Sequence, residues 1–406
     1  MTAIVGILNK RAAVMAADSA ITVSNDKGVK VYNTATKIFK LSDEHPIGVM
    51  IYDNVEFMGT PWDLIFNLYR KEWGKKACDS VQEYAEAFIR FLKEHDYFSS
   101  KDSKENYLLQ EISSYYNLVK DEVFDQLQAE GVSTEDKNVV RQKVKEVMDD
   151  FDEIYGDAGV CTEMERYTER EFRKTSKEFF DSLMDACAEA GLPADMREEW
   201  EHGVFVHLRS IIFLNNTATG IVFVGYGDQD IFPSAFPTVI SGAVDNRLRY
   251  FFNLEKADKI THDNTAWIIP FAQEDVMLTM MKGVAPDLYS GIMDEVQESM
   301  GEVVRRVTQT LGIPEEQTAE VAAPIIEETQ KKFEEKVEEI INEKYVSGLV
   351  DTVEFFNVED MANLAESLIS ITNLQRHITS SEETVGGPID VAVITKTGGF
   401  QWIKQK

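Results

Sequence analysis

Thr2, Asp18 and Lys37 are the residue types from which an amide-cleaving centre can be built. Once Met1 is removed, Thr2 carries both a nucleophilic hydroxyl and a free α-amine able to take the hydroxyl proton. A backbone amine titrates near ~8, so a useful fraction is uncharged at neutral pH, whereas a lysine stays almost wholly protonated. A buried ammonium beside such a centre favours the deprotonated forms of its neighbours, and a carboxylate within ~4 to 6 Å keeps the ammonium ionised. A unit charge at ~4 Å is worth about 4 kcal/mol at an effective dielectric of ~20, before desolvation is set against it. Asp18 is the natural counterion for Lys37.

Local elements must hold these groups. The apolar runs 2–8 and 12–18 are separated by the polar Asn9-Lys10-Arg11, so a hairpin would return Asp18 beside Thr2. Thr36-Lys37-Ile38-Phe39-Lys40-Leu41 alternates polar and apolar residues with period two and reads as a third strand that opens on the lysine.

Four stretches carry a resemblance: Thr2-x-Ile4-Val5; Ala16-Ala17-Asp18-Ser19; Thr36-Lys37-Ile38 followed by Ile47-Gly48-Val49-Met50; and Gly386-Gly387-Pro388-Ile389-Asp390-Val391. They resemble the proteasome β-subunits and the related bacterial ring peptidase that works with an ATP-driven unfoldase, both N-terminal-nucleophile hydrolases. The resemblance implies Thr2 as nucleophile, with Asp18 and Lys37 completing the centre. It further implies a hydrogen bond from Ser19, an orienting role for Glu382, and a backbone N–H at Tyr52, next to Asp53, meeting the developing oxyanion. It implies a peptide or protein substrate, a homo-oligomer built as a ring around a chamber, an unfoldase partner and no cofactor.

The chain also departs from the family pattern. Where the family places a Gly-Gly pair after Gly48-Val49-Met50, this sequence reads Ile51-Tyr52-Asp53-Asn54. A backbone donor survives any side chain, but a bulky Tyr52 would narrow the cleft. Ile269-Pro270-Phe271-Ala272-Gln273 stands where a serine- and glycine-rich turn precedes the family's third helix, removing a supporting hydroxyl. Upstream of the late Gly-Gly the acid is kept as Glu382, while Val385 replaces a serine.

With 406 residues the chain is long enough for two or three average domains and a substantial core. A formal charge of −30 argues against a nucleic-acid surface, which needs lysine and arginine to neutralise phosphates. It favours solubility and basic partners instead. Cys78, Cys161 and Cys187 are too few and scattered for a disulfide framework and read as reduced packing residues. The first apolar run is too short to span a bilayer and lacks the basic flank and cleavage site of a leader, so the cytoplasm is the expected compartment and no membrane partner is expected.

Strand-like blocks fall at 2–8, 12–18, 36–41, 46–52, 220–226, 237–243 and 389–395. Several are apolar at consecutive positions, as expected of strands covered on both faces. Helices are expected over 60–73, with Thr60 as N-cap and Pro61 at its first position, after a Ser80/Glu83 capping box, and along Met361, Leu364, Ala365, Leu368 and Ile369. The expected fold is α+β, two stacked sheets with helices outside, which is also the four-layer αββα sandwich the resemblance implies. Its core would comprise residues 1–96, 210–275 and 357–406, and two helical insertions, 97–209 and 276–356, would form an added α-helical subdomain.

Other chemistries lack their signatures. His45, His95, His202, His207, His262 and His377 show no metal-ligand spacing, and no GxSxG elbow or GxxxxGK[ST] phosphate loop occurs. Two alternatives to a threonine peptidase stay open at this point: a small-molecule amidase of the same superfamily, and a non-catalytic scaffold working through its helical insertions.

Overall fold

Two apolar runs joined by three polar residues fold back on each other as β1 (Ile4–Asn9) and β2 (Ala13–Ala17), with Ile4 opposite Ala17 and Leu8 opposite Ala13. Every residue of both strands is buried. Asn9 makes the turn: its Oδ1 accepts from the Arg11 and Ala12 amides at 2.9 and 3.2 Å. Its Nδ2 donates to the carbonyls of Val353 and Phe356 at 2.9 and 3.1 Å, so the hairpin is tied to a distant helix end. A second hairpin follows, β3 (Ile21–Asn25) and β4 (Gly28–Tyr32). The computed structural model describes residues 2–406 apart from 26–27, 96–97, 135, 215–216, 313–314 and 380–385. It divides into two compact units, Met1–Thr36 with Lys259–Lys406, and Lys37–Asp258.

The second unit starts with β5 (Ile38–Lys40), β6 (Ile47–Asp53) and the two-residue strands β7 (Glu56–Phe57) and β8 (Thr60–Pro61). Helices α1 (Trp62–Glu72), α2 (Val81–Glu94), α3 (Lys101–Ala129), α4 (Lys137–Asp157), α5 (Glu169–Glu189) and α6 (Arg197–Arg209) come next. The chain returns through β9 (Thr219–Gly225), β10 (Ser234–Val244) and β11 (Arg247–Phe252), giving an antiparallel sheet in the order β11-β10-β9-β6-β5. Aromatic rings join α1 and α2 to the sheet, with Phe88 5.2 Å from Phe66 and 5.7 Å from Phe223 between centroids.

Helix starts differ from expectation in detail. Thr60 does not cap α1; it pairs with Phe57 in the β7–β8 ladder, and Pro61 takes the cap position with no side-chain bond. Ser80 does cap α2, accepting from the Glu83 amide at 3.2 Å. The Glu83 carboxylate, however, binds the Asp79 amide at 2.9 Å, so the expected box is only half made.

Residues 97–209 carry their own core, with Tyr115, Phe172, Phe180 and Trp200 buried at its centre. Beside it lies a polar network with no exposure to solvent. Glu111 of α3 accepts at one carboxylate oxygen from His207 of α6 at 2.7 Å and from Arg249 of β11 at 2.8 Å. Arg249 also donates to the Tyr107 hydroxyl at 2.8 Å and to the His207 carbonyl at 3.2 Å. Opposite charges this deeply buried are tolerable only as partners.

The first unit resumes after β12 (Asp258–Lys259) with β13 (Ala266–Ala272), α7 (Glu274–Lys282), α8 (Pro286–Leu311), α9 (Glu315–Ile341), α10 (Ser347–Phe355), α11 (Val358–Thr379), β14 (Asp390–Thr395) and β15 (Gly399–Lys404). Its sheet runs β13-β1-β2-β14-β15, antiparallel where the pairings are β1–β13, β1–β2, β2–β14 and β14–β15. Residues 269–272, expected as a turn before a helix, lie in the strand β13. Pro270 is accommodated because β13 is an edge strand and the register shifts at Ile4/Val5, where a missing N–H does least harm. Met361, Ala365, Leu368 and Ile369 of α11 pack with Val5, Ile7, Val14 and Ala16. The stretches expected to form one helical subdomain fall in different units, 97–209 in the second and 276–356 in the first. Among the described residues no helix is long and apolar enough to cross a membrane.

Two outcomes follow from the buried network. Glu111→Ala leaves Arg249 without its carboxylate and is expected to cost about 3–5 kcal/mol in urea unfolding. For His207, burial lowers the pKa from its ordinary 6.5; the hydrogen bond to Glu111 opposes this and the Arg249 charge adds to it. Below about 6.5 the unfolded chain therefore binds a proton that the folded one refuses, and stability falls with acidification. Unfolding curves between pH 7 and 5 should show wild type losing stability more steeply than His207→Gln, by up to about 1.4 kcal/mol per pH unit; parallel slopes would contradict it.

Candidate active site

The β1–β2 pairing carries on past its last strand residues. The Asp18 amide donates to the Ala3 carbonyl at 3.1 Å, and the Ala3 amide donates to Asp18 Oδ1 at 3.0 Å. Asp18 thereby grips the residue next to Thr2 from both its backbone and its side chain. Its Oδ2 accepts from the amides of Ala20 at 3.3 Å and Gly386 at 3.1 Å, so three segments converge on one buried carboxylate. Thr2 is itself buried, 4% exposed.

Ser19 is buried next to this cluster and its hydroxyl donates to the Pro388 carbonyl at 2.6 Å, which leaves its oxygen lone pairs as its remaining chemistry. Its amide donates to the Gly386 carbonyl at 3.2 Å, and its carbonyl accepts from Ala35 at 3.0 Å. Gly387 has φ 77°, and a Cβ there would lie 2.8 Å from Asn33 Cβ, so only glycine fits this approach of the 386–388 segment. Glu382 and Val385 lie outside the described residues.

The other sequence candidates are in the second unit. Lys37 is 1% exposed, and its carbonyl accepts from the Ile51 amide at 2.8 Å, extending the β5–β6 ladder by one residue. Tyr52 stands opposite Gly220 of β9. A Cβ on Gly220 would come 1.9 Å from the tyrosine ring, so the ring lies across the neighbouring strand and covers its glycine. Asp53 ends β6 in the left-handed region at φ 68°, uncommon for a residue with a side chain. Although the residue keeps contact with solvent, partial burial raises its carboxyl pKa, while the charges of Lys256 and Lys37 draw it back.

The sequence reading passed over two charged groups near Asp18. Asp390, at the start of β14, is buried and accepts from the Lys406 amide at 2.9 Å. The Lys406 ammonium lies 3.9 Å from the Asp390 carboxylate and donates to the Ala35 carbonyl. Burial lowers its pKa, against the pull of Asp390 and Asp18. The unbroken apolar run of β14 offered a signal for Asp390, a lone acid at the head of a strand buried on both faces. Among the described residues, no group of three or more His, Cys, Asp or Glu is placed to hold a metal ion.

No family model matches the sequence, and no curated protein matches it. Among solved structures the chain is similar to the Anbu (Gly-1) mutant from Hyphomicrobium sp. strain MC1. The TM-score is 0.31 and the identity 8%, over 100% of this chain and 86% of that one. Superposition at that score does not assign a fold.

The Asp18 geometry gives a direct outcome. Asp18→Asn conserves shape but turns an NH2 toward at least one of three N–H donors that now face carboxylate oxygens. Each buried donor left unsatisfied costs about 1–3 kcal/mol. A fall of that size in unfolding free energy is expected from denaturant titration, and unchanged stability would show that the carboxylate is dispensable to the fold.

Proposed function

We propose that the chain is a threonine-type N-terminal-nucleophile hydrolase that cleaves amide bonds of peptides, with Thr2 as nucleophile after removal of Met1. One observation carries this reading: the buried Asp18 carboxylate fixes the Ala3 amide, the group adjoining Thr2, at 3.0 Å. A nucleophile must not drift, and this bond holds the peptide to which it is attached. The order Thr2, Asp18, Lys37 and the two sheet-and-helix units, each of the kind that an αββα sandwich requires of a half, support it further.

In the proposed reaction the Thr2 hydroxyl attacks the substrate carbonyl and passes its proton to the Thr2 amine, directly or through water. The C–N bond breaks as that proton reaches the leaving amine, and water then hydrolyses the ester on Thr2. Lys37 supplies the positive charge that lowers the pKa of the centre, Asp18 keeps that charge in place, Glu382 orients the amine, Ser19 contributes a hydrogen bond, and the backbone at Tyr52–Asp53 receives the oxyanion. Thr2 is buried, so short peptides are the appropriate first probe.

The test combines mass spectrometry with turnover of a panel of fluorogenic peptides. Loss of Met1, a single adduct with a threonine-directed covalent inhibitor, and abolished turnover in Thr2→Ala with an unchanged unfolding curve are expected. Lys37→Ala is expected to lower kcat by a factor of about 10² or more, as for removal of one electrostatic group from such a site. Retained Met1 with no adduct would select the scaffold reading, and turnover of short amides without peptides the amidase.

A further inference from the structure

Ala35 is buried in the stretch 33–37 between β4 and β5, which belongs to no strand. Both of its backbone polar groups are nevertheless taken. Its amide donates to the Ser19 carbonyl at 3.0 Å, and its carbonyl accepts from the Lys406 ammonium. The first bond reaches the residue after Asp18. The second reaches a side chain 371 positions on. Lys37 follows Ala35 by two positions, so the peptide pinned by these bonds is part of the lead into Lys37.

These contacts close on themselves. Asp390 stands opposite Ala17 in the β2–β14 ladder, and its Oδ1 accepts from the Lys406 amide at 2.9 Å. From Ala17 the ring runs through Asp18 and Ser19 to Ala35, on to the Lys406 ammonium, and through Lys406 back to Asp390. The ammonium also lies 3.9 Å from Asp390 Oδ2, too far for a hydrogen bond but near enough for charge to act, on a side chain only 20% exposed. Burial lowers the lysine pKa while Asp390 and Asp18 pull it back, so both buried acids act on this one cation. Asp18 and Asp390 carry like charge, and a cation shared between them offsets their repulsion. A neutral donor could satisfy the Ala35 carbonyl; only a cation also answers the two acids.

We propose that Lys406 is a positioning residue of the centre proposed above, holding the Ala35 peptide, and through it the lead into Lys37, beside Ser19. The inference rests on the reading of Thr2 as nucleophile. Lys406 touches neither substrate nor the reacting atoms in this role. It acts through Ala35 on the backbone before Lys37, and through its charge on Asp18, whose carboxylate fixes Ala3.

Three variants test this. Lys406→Met keeps most of the stem and removes the charge, Lys406→Arg keeps the charge, and Lys404→Met removes a lysine that pairs with Glu366 instead. Hydrogen exchange and peptide turnover are measured on each, alongside unfolding curves. In Lys406→Met the Ala35 amide is expected to exchange faster by about tenfold or more. Its kcat at pH 7 should fall about tenfold with KM unchanged, and the acid limb of the kcat profile should move up by about one unit, because losing a positive charge beside Asp18 makes the Thr2 amine easier to protonate. Lys406→Arg should recover most of each effect, and Lys404→Met should show none. A fall in kcat with the pH profile unmoved marks a merely structural link and overturns the inference. An active wild type matched by Lys406→Met in kcat and pH profile overturns it alone, whereas a wild type without turnover overturns the reading of Thr2 and the inference with it.

Discussion

A single carboxylate, that of Asp18, organises the end of the first unit where its chemistry is proposed to lie. It accepts from the amides of Ala3, Ala20 and Gly386, which belong to the lead into β1, the exit of β2 and the lead into β14. These strands are neighbours in the sheet, but ladder hydrogen bonds alone do not fix how their ends approach one another. A buried anion does, because charge-assisted bonds to backbone N–H are shorter and stronger than neutral ones, and losing any of them leaves an unsatisfied donor in the core. Asn9 plays the matching part at the opposite end of the hairpin, closing the turn and binding the carbonyls of Val353 and Phe356. Each end of β1 is thus fixed by a buried polar side chain. Its middle is left to packing.

The second unit solves a different problem. A four-helix stretch of more than a hundred residues is inserted into a sheet, and apolar packing by itself would let it slide. Glu111, His207 and Arg249 come from α3, α6 and β11, and their bonds are directional. Replacing such a network by hydrophobic residues is often neutral for stability, so its value is in selecting one seating of helices against sheet. Ser241 of β10 extends the chain of contacts through Tyr107, so two strands and two helices share one register.

Which of these features can be read from sequence depends on how far apart the interacting residues lie. The β1–β2 hairpin was legible because its apolar runs and polar turn are contiguous, and so was the return of Asp18 to the start of β1, where it meets Ala3. The cap of α2 was legible because Ser80 and Glu83 are three residues apart; the swing of Glu83 to Asp79 was not, as both placements suit the same sequence. β13 was hidden by Pro270, which argues against a strand until the strand is known to be an edge. Arg249 gave no warning of being fully buried, since its carboxylate partner lies 138 positions away. The Gly386 amide, 368 positions from Asp18, was equally invisible: backbone donors carry no residue type.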